Sequence, residues 1–255
     1  MAYPKDHLTT RSIIKHGKYA LISPEGRVIN VIPGFEGFKM TILASPKLGA
    51  SFAQYIAEVS PGAKTTKAFG GDGIETFVFL MDGEGELTVT VGDEEHVIKR
   101  GGYVYAPADV GMNMRNDSNS TMRILLYKQV YIPVEGFKAW TVCGNINDIE
   151  ERIYEDMENV FIQDLLPSDL GFDVNMHILS FEPDGSHPFI ETHVQEHGAY
   201  LLSGQGIYLI GEDWVQVKKE DFIWFGAFTQ QGTYCTGRER LSYIYSKDFN
   251  RDVIL

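Results

Sequence analysis

Cysteine is nearly absent. The 255 residues hold two, Cys143 and Cys235, far apart and in no zinc or redox spacing. That usage suits a reducing compartment without a disulfide framework, one long-range bridge being the alternative. Positive charge is also scarce. Against 35 Asp and Glu stand 22 Lys and Arg, a formal net charge of −13, which argues against a nucleic-acid footprint. No apolar run is long enough to span a bilayer. The opening Met1-Ala-Tyr-Pro-Lys-Asp-His7 has no apolar leader region. The expected setting is the cytoplasm. Long helical periodicities are few, which excludes a helical bundle and leaves an all-β chain.

What is present supports all-β. Glycine is frequent at 26 residues, and aromatics make up 12%. From Ala50 onward, short apolar or alternating runs are punctuated by Gly, Pro and Asp turns. Thr76-Phe-Val-Phe-Leu-Met81, Leu87-Thr-Val-Thr-Val91 and Met122-Arg-Ile-Leu-Leu-Tyr127 are examples. Residues 1–40 read as an irregular arm with short strands at Tyr19–Ile22 and Val28–Ile32, 41–130 as one β-domain, 131–170 as a connector and 171–255 as a second β-domain. The two domains repeat each other. Gly204-Gln-Gly206 follows Gly83-Glu-Gly85 by 121 positions, and Phe222 follows Tyr103 by 119. A near-constant offset across several landmarks is the mark of an internal duplication.

The chemistry concentrates between Gly185 and Gly204. Glu191, His193 and His197 fall at i, i+2 and i+6. Even spacing is the strand period, so an extended Glu191–His197 segment would turn all three toward one cavity. The bland alternative is two core histidines and a solvated glutamate. On the last strand, Tyr243, Tyr245 and Lys247 share a face by the same rule. Tyr208 shares parity with Gly206 and is placed to close a pocket.

The repeat unit resembles the cupin family, small jelly-roll barrels. The family's first motif, G-x5-H-x-H-x3-4-E-x6-G, is met with its ligand types permuted. Gly185 opens it and Gly204 closes it, and Glu191, His193 and His197 occupy the three ligand positions. In the second motif Gly226 stands at the Pro position, and Gln231 stands where the family has His. The resemblance thus implies a bicupin with a metal shell of Glu191, His193, His197 and Gln231. In the first copy the same positions carry Gly70, Asp72, Thr76 and Met112, with Glu75 one residue off. That copy is expected to be structural.

Over its whole length the chain resembles the (S)-ureidoglycine aminohydrolase family of bicupins. Ile32-Pro-Gly-Phe-Glu36, Ser45-Pro-Lys-Leu-Gly-Ala-Ser51, Tyr131-Ile-Pro-Val-Glu-Gly136 and Tyr243-Ile-Tyr-Ser-Lys-Asp248 carry the likeness beside the motif. The resemblance implies Mn²⁺ as cofactor, although a carboxylate, two imidazoles and an amide oxygen would also accept other divalent transition metals. It implies the small molecule ureidoglycine as substrate, ammonia release as the reaction, and a homo-oligomer. Substrate contact is implied for Glu191, Gln231, Tyr208, Tyr243 and Lys247, with Glu191, Lys247 and Tyr243 catalytic. Other metal-cupin enzymes, such as a dioxygenase or isomerase, and a non-catalytic binding bicupin are the rival expectations. His7 and His16 read as surface histidines, His177 as a core or supporting residue, and His187 as facing solvent or the barrel mouth. Gln195 is expected to line the pocket without contact, and Cys235 to be a buried thiol.

Overall fold

The computed structural model describes residues 10–253; His7 lies outside them. The expected all-β fold is present, with two short 3-10 turns as the helical content of the described residues. Most of the N-terminal half forms a 10-stranded antiparallel sheet. It wraps a core that includes Val78, Leu80, Val104, Met112 and Leu126. The C-terminal half forms an 8-stranded sheet faced by a 3-stranded one, around a core that includes Leu179, Phe181, Leu201 and Ile223.

A third core joins the two barrels. Phe52, Phe77, Phe79 and Tyr127 from one meet Phe172, Met176, Trp224 and Ile244 from the other. Strand parity builds it. On Ile74–Asp82, Val78 and Leu80 point into the first barrel while Phe77 and Phe79 point out to the second. The strand is therefore apolar on both faces, and its run of hydrophobic residues follows from that. Burying each such aromatic contributes roughly 1.5–3 kcal/mol.

Strand pairing departs from the expected segments at both ends of the first barrel. Within the expected arm, Ile13–Lys15 and Tyr19–Ile22 extend the C-terminal sheet, Tyr19–Ile22 pairing with Phe222–Phe225. Phe35–Ala44 pairs with Phe52–Thr65 inside the first barrel. The expected connector is also structured. Val142–Asn145 pairs with Gly102–Ala106 of the first barrel, and Val160–Asp164 pairs with Val174–Phe181 of the second. The Tyr19–Ile22 run reads as a short strand from its apolar residues alone, but the partners of the arm and connector strands are long-range and carry no local signal.

Glu75 is 1% exposed. Its odd parity turns it away from the first barrel's interior and into the interface, where the Tyr105 hydroxyl donates to it. Asp173 faces it from the other barrel and accepts the Ile132 backbone N–H at 2.6 Å. Burial, and then repulsion from Asp173, raise the Glu75 pKa well above the carboxylate range. Burial raises Asp173 as well. The pair therefore keeps a proton that the unfolded chain releases. With folded pKa values raised, the contribution to stability is full in acid and lost as pH rises through the folded pKa. Glu75→Gln supplies a permanent N–H toward Asp173 and still accepts from Tyr105. The variant's advantage over the parent should grow as pH rises, reaching about 2–4 °C in Tm once the shared proton is lost. Calorimetric scans across a pH series test this; parallel Tm–pH curves would count against the shared proton.

Candidate active site

The segment before Glu191 is laid along Gln231–Cys235. Ser186 bridges Tyr234, and Glu191 bridges Gln231. The Glu191 N–H donates to the Gln231 carbonyl at 2.8 Å, and the Gln231 N–H returns at 2.9 Å. His187 donates its N–H to the Thr233 carbonyl at 3.0 Å.

The expected continuous strand from Glu191 is not found. The regular strand, His197–Ser203, begins at the last of the three residues, and residues 192–196 form a bent loop. Neighbours satisfy the loop's polar groups in place of a ladder. Phe228 donates its N–H to the His193 carbonyl at 2.7 Å, Thr192 donates its hydroxyl to the Phe228 carbonyl at 3.0 Å, and Glu196 donates its N–H to Asp248 at 3.1 Å. Phe228 takes a φ of +60° to do so. The three side chains converge because the loop is tied down, and strand alternation is not the cause.

Glu191, His193, His197 and Gln231 line one cavity of about 20 Å³, together with Tyr208, Tyr243 and Lys247. Leu179, Ala199 and Phe225 give it an apolar wall. His193 Nδ1 lies 3.1 Å from the Gln195 carbonyl oxygen, and His197 Nδ1 lies 2.9 Å from that of Ser246. A carbonyl only accepts, so each Nδ1 carries the hydrogen. Each Nε2 then presents a lone pair to the cavity, and that of His193 accepts from the Gln231 amide N–H. The two Nε2 atoms face each other at 3.2 Å, and the Gln231 amide nitrogen sits 2.7 Å from that of His193. Burial lowers both pKa values, that of His197 strongly, so both rings are neutral at physiological pH.

Two lone pairs converging at 3.2 Å in a buried site suit a cation that both can reach. Imidazole nitrogens with an adjacent amide and carboxylate fit a divalent transition metal. Among the described residues, however, no three His, Cys, Asp or Glu side chains close into a cage. The Glu191 carboxylate lies 4.0 Å from His187 Nε2. Burial raises its pKa, against the opposing charge of Lys247. The Tyr208 and Tyr243 hydroxyls are 3.2 Å apart, and burial pushes both pKa values up.

Two cavity residues depart from expectation. His187 is 4% exposed and lines the cavity, where solvent or the barrel mouth was expected. Burial pushes its pKa down to about 4. Tyr154 also lines the cavity. It comes from the connector, on a loop where Glu155, Asp156 and Asn159 all take positive φ, and nothing in its sequence surroundings marks it. His177 stays outside the cavity, 2.7 Å from Asp164 through Nδ1. Gln195, expected to line the pocket, does not: its carbonyl lies against His193 Nδ1, and the residue lines a neighbouring groove. Cys235 is buried, with its thiol toward the Glu239 carbonyl; His16 is exposed.

A cupin-domain family profile matches residues 55–127, within the first barrel. The (S)-ureidoglycine aminohydrolase of Escherichia coli (strain K12) is 49% identical over 98% of this chain and 96% of its own. That of Arabidopsis thaliana is 28% identical over 95% of this chain and 79% of its own. The crystal structure of protein Ylba from E. coli superposes with a TM-score of 0.87 at 46% identity, covering all of both chains. The chain belongs to the (S)-ureidoglycine aminohydrolase family.

In this member of the ureidoglycine aminohydrolase family the two barrels can be compared position by position. Thr76 pairs with Ala106 where His197 pairs with Phe225. Met112 pairs with Phe69 where Gln231 bridges Glu191, so strand pairing puts Phe69, and not the expected Gly70, opposite the second-motif position. Phe69 and Met112 are buried in the first barrel's apolar core.

Gly198, next to His197, sets how closely the site can approach the interface. A Cβ there would lie 2.3 Å from Gln54 Oε1 and 2.7 Å from Phe52 Cζ. Gln54 is fully buried. Gly198→Ala should destabilise the protein by about 1–3 kcal/mol through overpacking. Denaturant unfolding measures this, and an unchanged midpoint would show that the interface has slack.

Proposed function

We propose that the chain releases ammonia from (S)-ureidoglycine to give (S)-ureidoglycolate. We further propose that it uses a divalent metal, Mn²⁺ by preference, held by Glu191, His193, His197 and Gln231. The observation that carries the metal is the pair of His193 and His197 lone pairs facing each other in the cavity. When bound, the metal supplies positive charge for an anionic substrate and Lewis-acid polarisation.

The remaining roles belong to the chain's own residues. Lys247 pairs with the substrate carboxylate. Tyr243 and Tyr208 donate hydrogen bonds and fix which face of the reacting carbon is open, and orientation of this kind lowers the entropic part of the barrier. The reaction breaks one C–N bond and forms one C–O bond. Water loses a proton to Glu191, and the departing amine gains one from it. A carboxylate whose pKa is raised by burial is suited to both transfers near neutral pH. Leu179, Ala199 and Phe225 keep bulk water out. The unpaired Cys143 and Cys235 are in keeping with the cytoplasm, and exposed apolar side chains such as Val31 and Phe228 with a homo-oligomer.

The test is ammonia release from ureidoglycine freshly made from allantoate, with metal-stripped protein and with Mn²⁺ restored. The expected result is Mn²⁺-dependent ammonia, a single enantiomer of ureidoglycolate and no O₂ uptake. Lys247→Ala should lower kcat/KM by about 100-fold, mainly through KM. No rate above spontaneous decay would reject the substrate. A Glu191→Gln protein that keeps both metal and full turnover would reject the proton shuttle.

A further inference from the structure

Three histidines face the cavity, and their backbone partners set two different tautomers. His193 and His197 turn Nδ1–H to carbonyl oxygens and Nε2 lone pairs to the cavity. His187 is wired the other way. Its Nδ1 accepts the Thr233 backbone N–H at 3.1 Å. A nitrogen that accepts keeps its lone pair, so the proton of the neutral ring is on Nε2. A protonated ring would set Nδ1–H against that N–H head-on, so the contact holds the ring neutral.

The rest of the surroundings fix the ring in place. His187 and Thr233 are also joined through the His187 N–H and the Thr233 carbonyl. The ring packs edge to face on Phe181 at 5.1 Å. The Nε2–H lies on the side of Glu191, 4.0 Å from Oε1.

We propose that His187 is a positioning residue that donates its Nε2–H to the Glu191 carboxylate. The 4.0 Å separation is longer than a hydrogen bond, and it closes when the site is loaded. One Glu191 oxygen is then occupied by a donor and the other is left free for proton transfer. The same wiring bars His187 from serving as a metal ligand, because its cavity-facing nitrogen carries the hydrogen. The effect on turnover rests on the Glu191 role proposed above; the tautomer does not.

The first arm of the test needs no activity. In protein labelled with ¹⁵N-histidine, proton–nitrogen correlation spectra should show His187 as the Nε2–H tautomer, with His193 and His197 as Nδ1–H tautomers in metal-free protein. The His187 pattern should persist with Zn²⁺, a diamagnetic probe. Glu191→Ala should shift the His187 Nε2–H proton and leave the His177 Nδ1–H proton, held by Asp164, in place. An Nδ1–H tautomer, an imidazolium, or an unmoved proton would overturn the proposal. The second arm compares His187→Gln, whose amide N–H can stand in for Nε2–H, with His187→Leu. Both should keep Mn²⁺ affinity and KM. The Leu variant should lose about 10–100-fold in kcat and the Gln variant much less. Equal losses, or lost metal, would make His187 a packing residue or a ligand instead. Wild-type protein that is inert on ureidoglycine yet shows the expected tautomers would reject the substrate and leave the wiring standing.

Discussion

Glu191 and Gln231 exchange both backbone hydrogen bonds, at 2.8 and 2.9 Å, and the candidate site depends on that pair. It pins a loop with no ladder of its own against Gln231–Cys235. Once residue 191 is fixed, two further ties at His193 and Phe228 leave the intervening backbone little freedom. Side chains from a bent segment then reach the cavity as firmly as side chains from a strand would. Holding functional groups on an irregular segment braced by rigid strands combines close placement with backbone carbonyls free to orient imidazoles.

The second constraint is the interface between the barrels. Because Ile74–Asp82 is apolar on both faces, neither barrel can expose its outer sheet without leaving several aromatics in water. The arm strand Tyr19–Ile22 and the connector strand Val160–Asp164 cap the C-terminal sheet from opposite sides. The chain thus crosses between the barrels twice, after the arm strands and again within the connector. Unfolding one half alone would strip strands from the other, which favours a single cooperative transition.

The all-β class and the duplication were legible because turn residues recur at a near-constant offset. The convergence of Glu191, His193, His197, Gln231, Tyr208, Tyr243 and Lys247 on one cavity was also anticipated, partly for a different reason. Parity held for Tyr243 and Lys247, which lie on the regular strand Leu241–Asp248. It did not describe residues 191–196, whose shape comes from partners 35 to 52 positions away in sequence. Tyr154 was invisible for the same reason. The burial of His187 is not legible in sequence because a histidine in a Pro-containing turn gives no local sign of it. Its environment is made by Thr233 and Phe181.

The two barrels show what the polar set does to a core. At equivalent places the first barrel pairs Phe69 with Met112 and the second pairs Glu191 with Gln231. The apolar pair needs only packing. The polar pair, with two neutral imidazoles beside it, must find hydrogen bonds or a cation, since an unsatisfied buried polar group costs about 1–3 kcal/mol. Here the backbone does part of that work. The Gln195, Ser246 and Thr233 main-chain groups each take one ring nitrogen, leaving one nitrogen per histidine to face the cavity with its chemical character already decided. Two carry lone pairs and one carries a hydrogen. Glu191 lies among them, with a basic amine, Lys247, on the same cavity wall. Protonation states in such a site are set by main-chain geometry before any substrate enters. A polar cluster this tightly specified is out of place in a barrel that serves only as packing, and the first barrel places Phe69 and Met112 in an apolar core instead.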